Sequence, residues 1–198
     1  MMKIVAITGG IGSGKSVVSH ILRAMGHPVY DCDSNARTLM EHSAEIKRRI
    51  AAEVTADAIG PDGTLCRSAI AACVFTHPDK LAALNSIVHS SVRTHCSEWC
   101  LTMQRQGHEL IFIETAILYE SGFDALVHEV WEVDAPTEVR ISRVMKRNGL
   151  TRGEVEHRIA AQARTAMPHK EHITISNAPS EPLLPQILNL ITQNEHTA

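Results

Sequence analysis

The sequence has few aromatic residues and no marked excess of either charge. Phenylalanine, tryptophan and tyrosine together make up 4% of the 198 residues, and the formal net charge is -3. Proteins that bind single-stranded nucleic acid without sequence preference stack bases on aromatic side chains in a basic groove. The composition therefore argues against a nucleic-acid-binding ATPase, and we expect no nucleic-acid partner.

The sequence also lacks a long hydrophobic run. The apolar run before Gly9 is about five residues long, too short for the core of a signal peptide. No stretch approaches the roughly 18 residues that span a bilayer. The five cysteines form no CxxC pair, which is typical of reduced thiols in a cytoplasm. We therefore expect a cytoplasmic protein with no membrane partner. We also expect it to be a monomer or a weak homo-oligomer.

Short apolar runs alternate with helical patterns along the chain. Runs with the character of buried strands lie at 3–8, 27–33, 109–114, 128–135 and 172–177. Residues 34–106 show a helical pattern, with turn signals at 60–63 and 77–78. Because no tight hairpin joins the strands, we predict an α/β fold, a five-stranded parallel sheet flanked by helices on both faces.

A glycine-rich loop separates the first predicted strand from the first predicted helix. Its residues fit the pattern G-x-x-x-x-G-K-[ST] from Gly9 to Ser16. Glycines let backbone N–H groups turn toward phosphate, the lysine reaches the outer phosphates, and the serine hydroxyl can bind Mg²⁺. The following helix adds its positive N-terminal end. The pattern predicts that a nucleoside triphosphate is bound by Gly10, Ile11, Gly12, Ser13, Gly14, Lys15, Ser16 and Val17.

Two aspartates stand at the end of the second predicted strand. Asp31 and Asp33 are two residues apart, so strand alternation would point both side chains to the same side. Ligands of open α/β sheets bind outside the carboxyl ends of the strands. We therefore expect Asp33 to deprotonate an acceptor hydroxyl and Asp31 to help hold Mg²⁺, directly or through water. The alternative is that Asp33 caps a helix that begins near Ser34.

A basic cluster follows the fourth predicted strand. Arg140, Arg143, Lys146 and Arg147 fall mostly on one helix face. Such a run is often a solvated surface, but planar guanidinium groups also suit the oxygens of a transferring phosphate. Arg143 and Arg147 are the candidates for catalysis, together with Lys15 and Asp33.

Six segments in order resemble the dephospho-coenzyme A kinase family over nearly the whole chain. They are TGGIGSGKS at 8–16, DCDSNAR at 31–37, DGTLCRSAIAACVF at 62–75, LNSIVH at 84–89, ILYESG at 117–122 and RVMKRNGLTRGEVEHRIAAQ at 143–162. The resemblance implies ATP-dependent phosphorylation of the ribose 3′-hydroxyl of dephospho-CoA. The products would be ADP and coenzyme A, and the reaction would be the last step of coenzyme A synthesis.

The resemblance also implies a single nucleotide-kinase-like domain with three parts. These are a core at 1–34, 108–137 and 166–198, a helical acceptor-binding region at 35–107, and a lid at 138–165. The acceptor-binding residues would be Asp33, Arg67, His89 and Glu114. Asn177 would help to bracket the adenine, although asparagine is also an ordinary turn residue.

The chain departs from the family pattern at two of these positions. Ser90 follows His89 where the family commonly has proline, and Glu114 stands where the family has aspartate. A buried structural role for His89 therefore stays open. Glu114 could equally lie near Mg²⁺ or form a structural ion pair.

Two rival functions remain from the motifs alone. A P-loop kinase of the same architecture could act on another acceptor, such as a nucleotide, shikimate or gluconate. A GTP-dependent switch would need a guanine-binding N-K-x-D motif, which the sequence lacks, although DAIG at 57–60 matches D-x-x-G.

Overall fold

The structure is a computed structural model that describes residues 2–162 and 172–195. The chain divides into two compact units within these residues. The sheet unit comprises 2–31, 100–162 and 172–195, and the helical unit comprises 32–99. The last residues of the predicted lid, 163–165, lie outside the described residues, as do residue 1, 166–171 and 196–198 of the predicted core.

All five predicted strands are present in the sheet unit. They are β1 (Lys3–Thr8), β2 (Val29–Asp31), β3 (Leu110–Glu114), β4 (Glu129–Asp134) and β5 (His172–Ser176). They form one sheet in the order β2-β3-β1-β4-β5, and every neighbouring pair is parallel. The predicted α/β fold with a parallel sheet is confirmed.

Eight α-helices lie within the described residues. They are α1 (Lys15–Ala24), α2 (Cys32–His42), α3 (Ala44–Glu53), α4 (Arg67–Thr76), α5 (Pro78–Arg105), α6 (Thr137–Asn148), α7 (Arg152–Gln162) and α8 (Leu183–Glu195). None of these helices has the combined length and apolarity that crossing a membrane requires.

The core of the sheet unit explains why its central strands read as unbroken apolar runs. Ile7, Phe112 and Trp131 come from three adjacent strands and are fully buried. The rings of Phe112 and Trp131 lie 5.1 Å apart between centroids. Side chains of α1 and α8 complete this core, including Leu22 and Ile187. Strands covered by helices lose the alternation of polar and apolar residues, because neither face contacts water.

The helical unit has its own core. Buried side chains of α3, α4 and α5 pack together there, including Ile50, Ile70 and Ile87. The predicted turn at 60–63 is present, and its Gly63 adopts a positive φ of 76°. The predicted break at 77–78 is the boundary between α4 and α5, as expected because proline is tolerated in the first turn of a helix.

The prediction for the second strand is wrong at its carboxyl end. The strand stops at Asp31, and α2 begins at Cys32. Asp33 therefore lies in the first turn of a helix, so strand alternation does not relate its side chain to that of Asp31. The predicted helix start near Ser34 is also two residues late. A carboxylate in the first turn suits the positive helix end, which favours helix over strand at Asp33.

Candidate active site

The glycine-rich loop connects β1 to α1 in a conformation that only glycine adopts readily. Gly9, Gly12 and Gly14 have φ angles of 141°, 78° and 106°. Gly14 is the residue that precedes α1 and closes the loop onto the helix N-terminus. Positive φ values are costly for residues with a Cβ atom. The loop geometry is therefore a direct consequence of the glycine positions.

Neighbouring groups press against the loop so closely that side chains are excluded. A Cβ atom on Gly9 would lie 2.2 Å from the Val133 carbonyl oxygen, and one on Gly10 would lie 2.1 Å from the Arg140 guanidinium. A Cβ atom on Gly14 would lie 2.0 Å from the Asn177 amide nitrogen. The end of β4, helix α6 and the residue after β5 thus surround the loop.

Lys15 lies at the start of α1 with its side chain directed back over the loop. Its Nζ donates a hydrogen bond to the Gly9 carbonyl oxygen at 2.8 Å and contacts that of Gly10 at 3.4 Å. A lysine in this place brings its charge to the site where the loop and helix N–H groups converge.

Arg143 and Asn177 meet at the carbonyl oxygen of Ser13. The Asn177 Nδ2 donates to this oxygen at 2.7 Å, and the Arg143 Nη1 donates to it at 3.3 Å. The Arg143 Nη2 also donates to the Asn177 backbone oxygen at 3.0 Å. Arg143 was predicted to be catalytic, and Asn177 was predicted to bracket the adenine of ATP. The structure places them together against the loop backbone.

Two further side chains contact the loop that sequence reasoning did not assign to the site. The Arg140 Nε donates to the Ile11 carbonyl oxygen at 3.0 Å, and the Gln162 Oε1 accepts a hydrogen bond from the Ile11 N–H at 2.7 Å. Arg140 belongs to the basic cluster and Gln162 ends the last motif shared with the kinase family. The basic cluster for Arg140 and the family motif for Gln162 were therefore the sequence signals that could have assigned these two residues to the site.

Asp31 and Glu114 end adjacent strands at the same edge of the sheet. They are direct partners in the register of β2 and β3. Partial burial raises the pKa of Glu114, and the charge of Asp31 raises it further, while Lys15 acts in the opposite direction. Two neighbouring carboxylates of this kind are stabilised when a cation binds between them.

These carboxylates fit Mg²⁺ in the manner usual for phosphoryl transfer. Mg²⁺ is commonly held by one or two carboxylates together with waters and substrate phosphates. No cluster of three or more His, Cys, Asp or Glu side chains within the described ranges could hold a metal by itself. Ser16, in the first turn of α1, is exposed and can supply a hydroxyl ligand.

A small cavity lies beside the glycine loop in the sheet unit. Its volume is about 90 Å³, and its lining includes Gly9, Gly10, Tyr119, Glu132 and Gln162. The Tyr119 hydroxyl is buried and has no hydrogen-bond partner among the described residues. Burial raises the pKa of Tyr119, and the nearby carboxylates of Asp124 and Glu132 add to the effect.

Three predicted acceptor-binding residues lie in the helical unit. Asp33 is exposed in the first turn of α2. Arg67 forms an ion pair with Glu41 of the same unit. His89 is half-buried on α5, so the alternative of a fully buried histidine is wrong.

Arg147 is the one predicted catalytic arginine that the described contacts do not bring to the loop. It is exposed, and its Nε donates to the Asn148 side chain at 2.8 Å. Arg147 lies in the last turn of α6, one helical turn beyond Arg143. Helix α6 thus carries two arginines at the loop, Arg140 and Arg143, and a third, Arg147, in solvent.

The chain was compared with known proteins. The family model described as dephospho-CoA kinase matches residues 3–178. The dephospho-CoA kinase of Porphyromonas gingivalis is 38% identical, over 96% of this chain and 93% of its own. That of Anaeromyxobacter dehalogenans is 40% identical, over 81% of this chain and 76% of its own.

Solved structures share the fold of this chain. The crystal structure of TT1252 from Thermus thermophilus is 36% identical with a TM-score of 0.78, and the match covers 97% of both chains. A dephospho-CoA kinase from Campylobacter jejuni, 19% identical, shares the fold with a TM-score of 0.68 over 100% of both chains.

Proposed function

Because the chain belongs to the dephospho-CoA kinase family, we propose that it transfers the terminal phosphoryl group of ATP to dephospho-CoA. The acceptor is the ribose 3′-hydroxyl, and the products are coenzyme A and ADP. The observation that carries this proposal is the loop of Gly9, Gly12 and Gly14 with Lys15 above it. The family relationship favours dephospho-CoA over a nucleotide, shikimate or gluconate as acceptor.

The loop and its helix bind the triphosphate in this proposal. Residues Gly10 to Val17 surround the phosphates, and Lys15 leaves the carbonyl oxygens of the loop to contact the outer phosphates. Arg147 approaches the transferring phosphate from the exposed end of α6. Phosphoryl transfer depends mainly on such positioning and charge stabilisation, because its transition state is loose.

Mg²⁺ would be held by Asp31 and the Ser16 hydroxyl, with Glu114 beside them. The support is the pairing of Asp31 with Glu114 at the edge of the sheet and the effect of Asp31 on the ionisation of Glu114. When bound, Mg²⁺ neutralises charge on the phosphates. Glu114 was expected at the acceptor, and its position next to Asp31 supports the magnesium role that the sequence left open.

Asp33 is the proposed base for the acceptor hydroxyl. Its carboxylate is exposed and only two residues beyond the end of β2 along the chain, where ligands of open α/β sheets bind. Asp33 would accept the proton of the 3′-hydroxyl as the oxygen attacks phosphorus. Arg67 and His89 would contact the rest of the acceptor from the helical unit.

We also assign separate roles to the helical region and to the lid. Residues 35–107 would grip the acceptor, and 138–165 would close over the phosphates and exclude water. The enzyme would work in the cytoplasm as a monomer or a weak homo-oligomer. The five cysteines, which are all free, support a reducing compartment.

The direct test is incubation of the protein with Mg-ATP and one acceptor at a time. The acceptors are dephospho-CoA, AMP, shikimate and gluconate, with water alone as the blank. We expect ADP release together with a mass gain of about 80 Da, one phosphoryl group, on dephospho-CoA only. ADP release without any mass gain would refute the proposed acceptor.

The role of Asp33 has a matched control. Asp33→Asn should lower turnover by about 100-fold or more, in the range typical of general bases, and leave ATP affinity unchanged. Asp57→Asn removes another exposed carboxylate of the helical unit and should change neither quantity. Full turnover by a folded Asp33→Asn protein would exclude Asp33 as the base.

A further inference from the structure

The Ser13 carbonyl oxygen is held by two side chains from distant parts of the chain. Asn177 donates to it at 2.7 Å and Arg143 at 3.3 Å. Ser13 is fully buried, and Asn177 is only 9% exposed. The backbone N–H of Asn177 donates to the Asp134 carbonyl oxygen at 2.7 Å, which anchors Asn177 to the end of β4. The pair of Arg143 and Asn177 is called the carbonyl clamp below.

The clamp determines the direction of the next backbone N–H. A trans peptide unit is planar, so the Ser13 carbonyl and the Gly14 N–H point in opposite directions. Because the carbonyl is directed toward Arg143 and Asn177, the Gly14 N–H is directed away from them. Gly14 precedes the first residue of α1, where N–H groups without intrahelical partners bind anions.

We propose that Arg143 and Asn177 are positioning residues that hold the Ser13–Gly14 peptide so that its N–H faces the triphosphate. This inference rests on the proposed ATP-dependent function. It assigns to both residues a role other than direct contact with the adenine or the transferring phosphate. The group on which they act is the loop backbone itself.

Gly14 gives the clamped peptide an alternative conformation. Its φ is 106°, and glycine populates negative φ values about as readily. Rotation of the Ser13–Gly14 peptide would turn the carbonyl oxygen toward the phosphates, where two negative partners repel. The clamp removes this alternative, because rotation would break the bonds to both Arg143 and Asn177.

The nearest competing role for Asn177 is to bracket the adenine. The two roles differ in which ligands they affect. A residue that contacts adenine matters for ATP but not for inorganic tripolyphosphate, which has no base. A residue that orients a phosphate-binding N–H matters equally for both ligands. Tripolyphosphate is therefore a probe that separates the two roles.

The test uses Asn177→Asp in the full-length protein. Aspartate keeps the shape of the side chain but is an acceptor only, so it cannot donate to the Ser13 oxygen. We expect the dissociation constants of ATP and tripolyphosphate to rise by the same factor, about 10- to 100-fold, the loss expected for a hydrogen bond to a charged group. Isothermal titration gives both constants without turnover, so the result is independent of the acceptor.

A matched control addresses general loss of stability. Asn194 is also a buried asparagine of the sheet unit, and its Nδ2 donates to the Leu190 oxygen at 2.8 Å. Asn194→Asp should lower thermal stability but leave both dissociation constants unchanged. Asn177→Ser is titrated in parallel, because the charge introduced by Asn177→Asp would itself repel both polyanions. The clamp predicts that this uncharged variant also raises both dissociation constants by one common factor.

A double-mutant cycle tests whether the two residues act on one carbonyl. Arg143→Met and Asn177→Ser should each weaken tripolyphosphate binding, and the double variant should lose less than the product of the two single effects. A loss confined to ATP, or full additivity of the two changes, would overturn the clamp. Failure of wild-type protein to phosphorylate dephospho-CoA would refute the proposed acceptor but would leave the binding comparison intact.

Discussion

Replacement of Gly14 by alanine tests the loop geometry most directly. The residue combines a φ of 106° with the close approach of Asn177, whose amide nitrogen would lie 2.0 Å from the new Cβ. Cβ atoms essentially never approach another heavy atom within 3.0 Å. Gly14→Ala must therefore strain the backbone and displace the Asn177 side chain as well.

The expected loss of folding free energy is the sum of the backbone strain and the lost hydrogen bonds of Asn177. A left-handed conformation costs a residue with a Cβ roughly 1–2 kcal/mol. Displacement of Asn177 disrupts its bonds to Ser13 and Arg143, each with a net contribution of about 0.5–1.5 kcal/mol. We expect a total loss of about 3 kcal/mol, or a decrease in Tm of about 6–12 °C for a chain of this size.

Gly26→Ala is the matched control for backbone strain. Gly26 has a similar φ of 92°, and a Cβ atom at this position would meet no neighbouring group within 4 Å. Alanine there should cost only about 1–2 kcal/mol. The entropy that alanine removes from the unfolded chain is common to both variants, so their difference reports the contact with Asn177. The assay is thermal unfolding followed by circular dichroism, without nucleotide. Equal decreases in Tm for the two variants would refute the reasoning.

Three further predictions concern single side chains. Burial opposes ionisation of Glu129, but hydrogen bonds from Lys3 and Trp131 outweigh it and lower its pKa. The stabilisation is therefore present above the unfolded pKa and is lost as the pH falls through the folded one. Glu129→Gln should flatten the acid side of a urea-unfolding series from about pH 7 to about pH 3, and an unchanged slope would contradict this. Asp31→Asn should raise the Mg²⁺ concentration for half-maximal turnover about tenfold or more, whereas Asp33→Asn should not; equal Mg²⁺ curves for wild type and Asp31→Asn would exclude Asp31 as a ligand. Arg147→Ala should lower turnover by at least about tenfold and leave Tm unchanged, because Arg147 is exposed; undiminished turnover would remove Arg147 from the mechanism.

The sequence predicted the sheet and the loop because their signals are local. A buried strand such as Leu110–Glu114 is apolar almost throughout, and the glycine pattern from Gly9 to Ser16 is confined to eight successive positions. Helix boundaries at Gly26 and His77-Pro78 also follow from the residues present there. These features need no knowledge of what lies next to them in space.

At the carboxyl end of β2, the local sequence pattern was not sufficient to predict where the strand ends and the helix begins. The segment from Tyr30 to Asp33 is compatible with strand or helix, and among the described strands β2 pairs only with β3. An edge strand has backbone pairing on one side, so pairing does less to extend it. Helix α2 therefore begins directly after Asp31, and Asp33 lies in its first turn.

What the sequence by itself determined is the class of fold, the phosphate-binding loop and the family. Each depends on residue types at short spacing, because glycine, lysine and serine act through their own backbone and side-chain chemistry. The tertiary structure decided which residues support that loop. Asn177 reaches Ser13 across 164 positions of the chain, and Gln162 reaches Ile11 across 151. Such contacts exist because β1 lies between β3 and β4 in the sheet, so that the segments following β4 and β5 come to the carboxyl end of β1. Strand order is set by packing of the whole core, and no short segment of the sequence contains it.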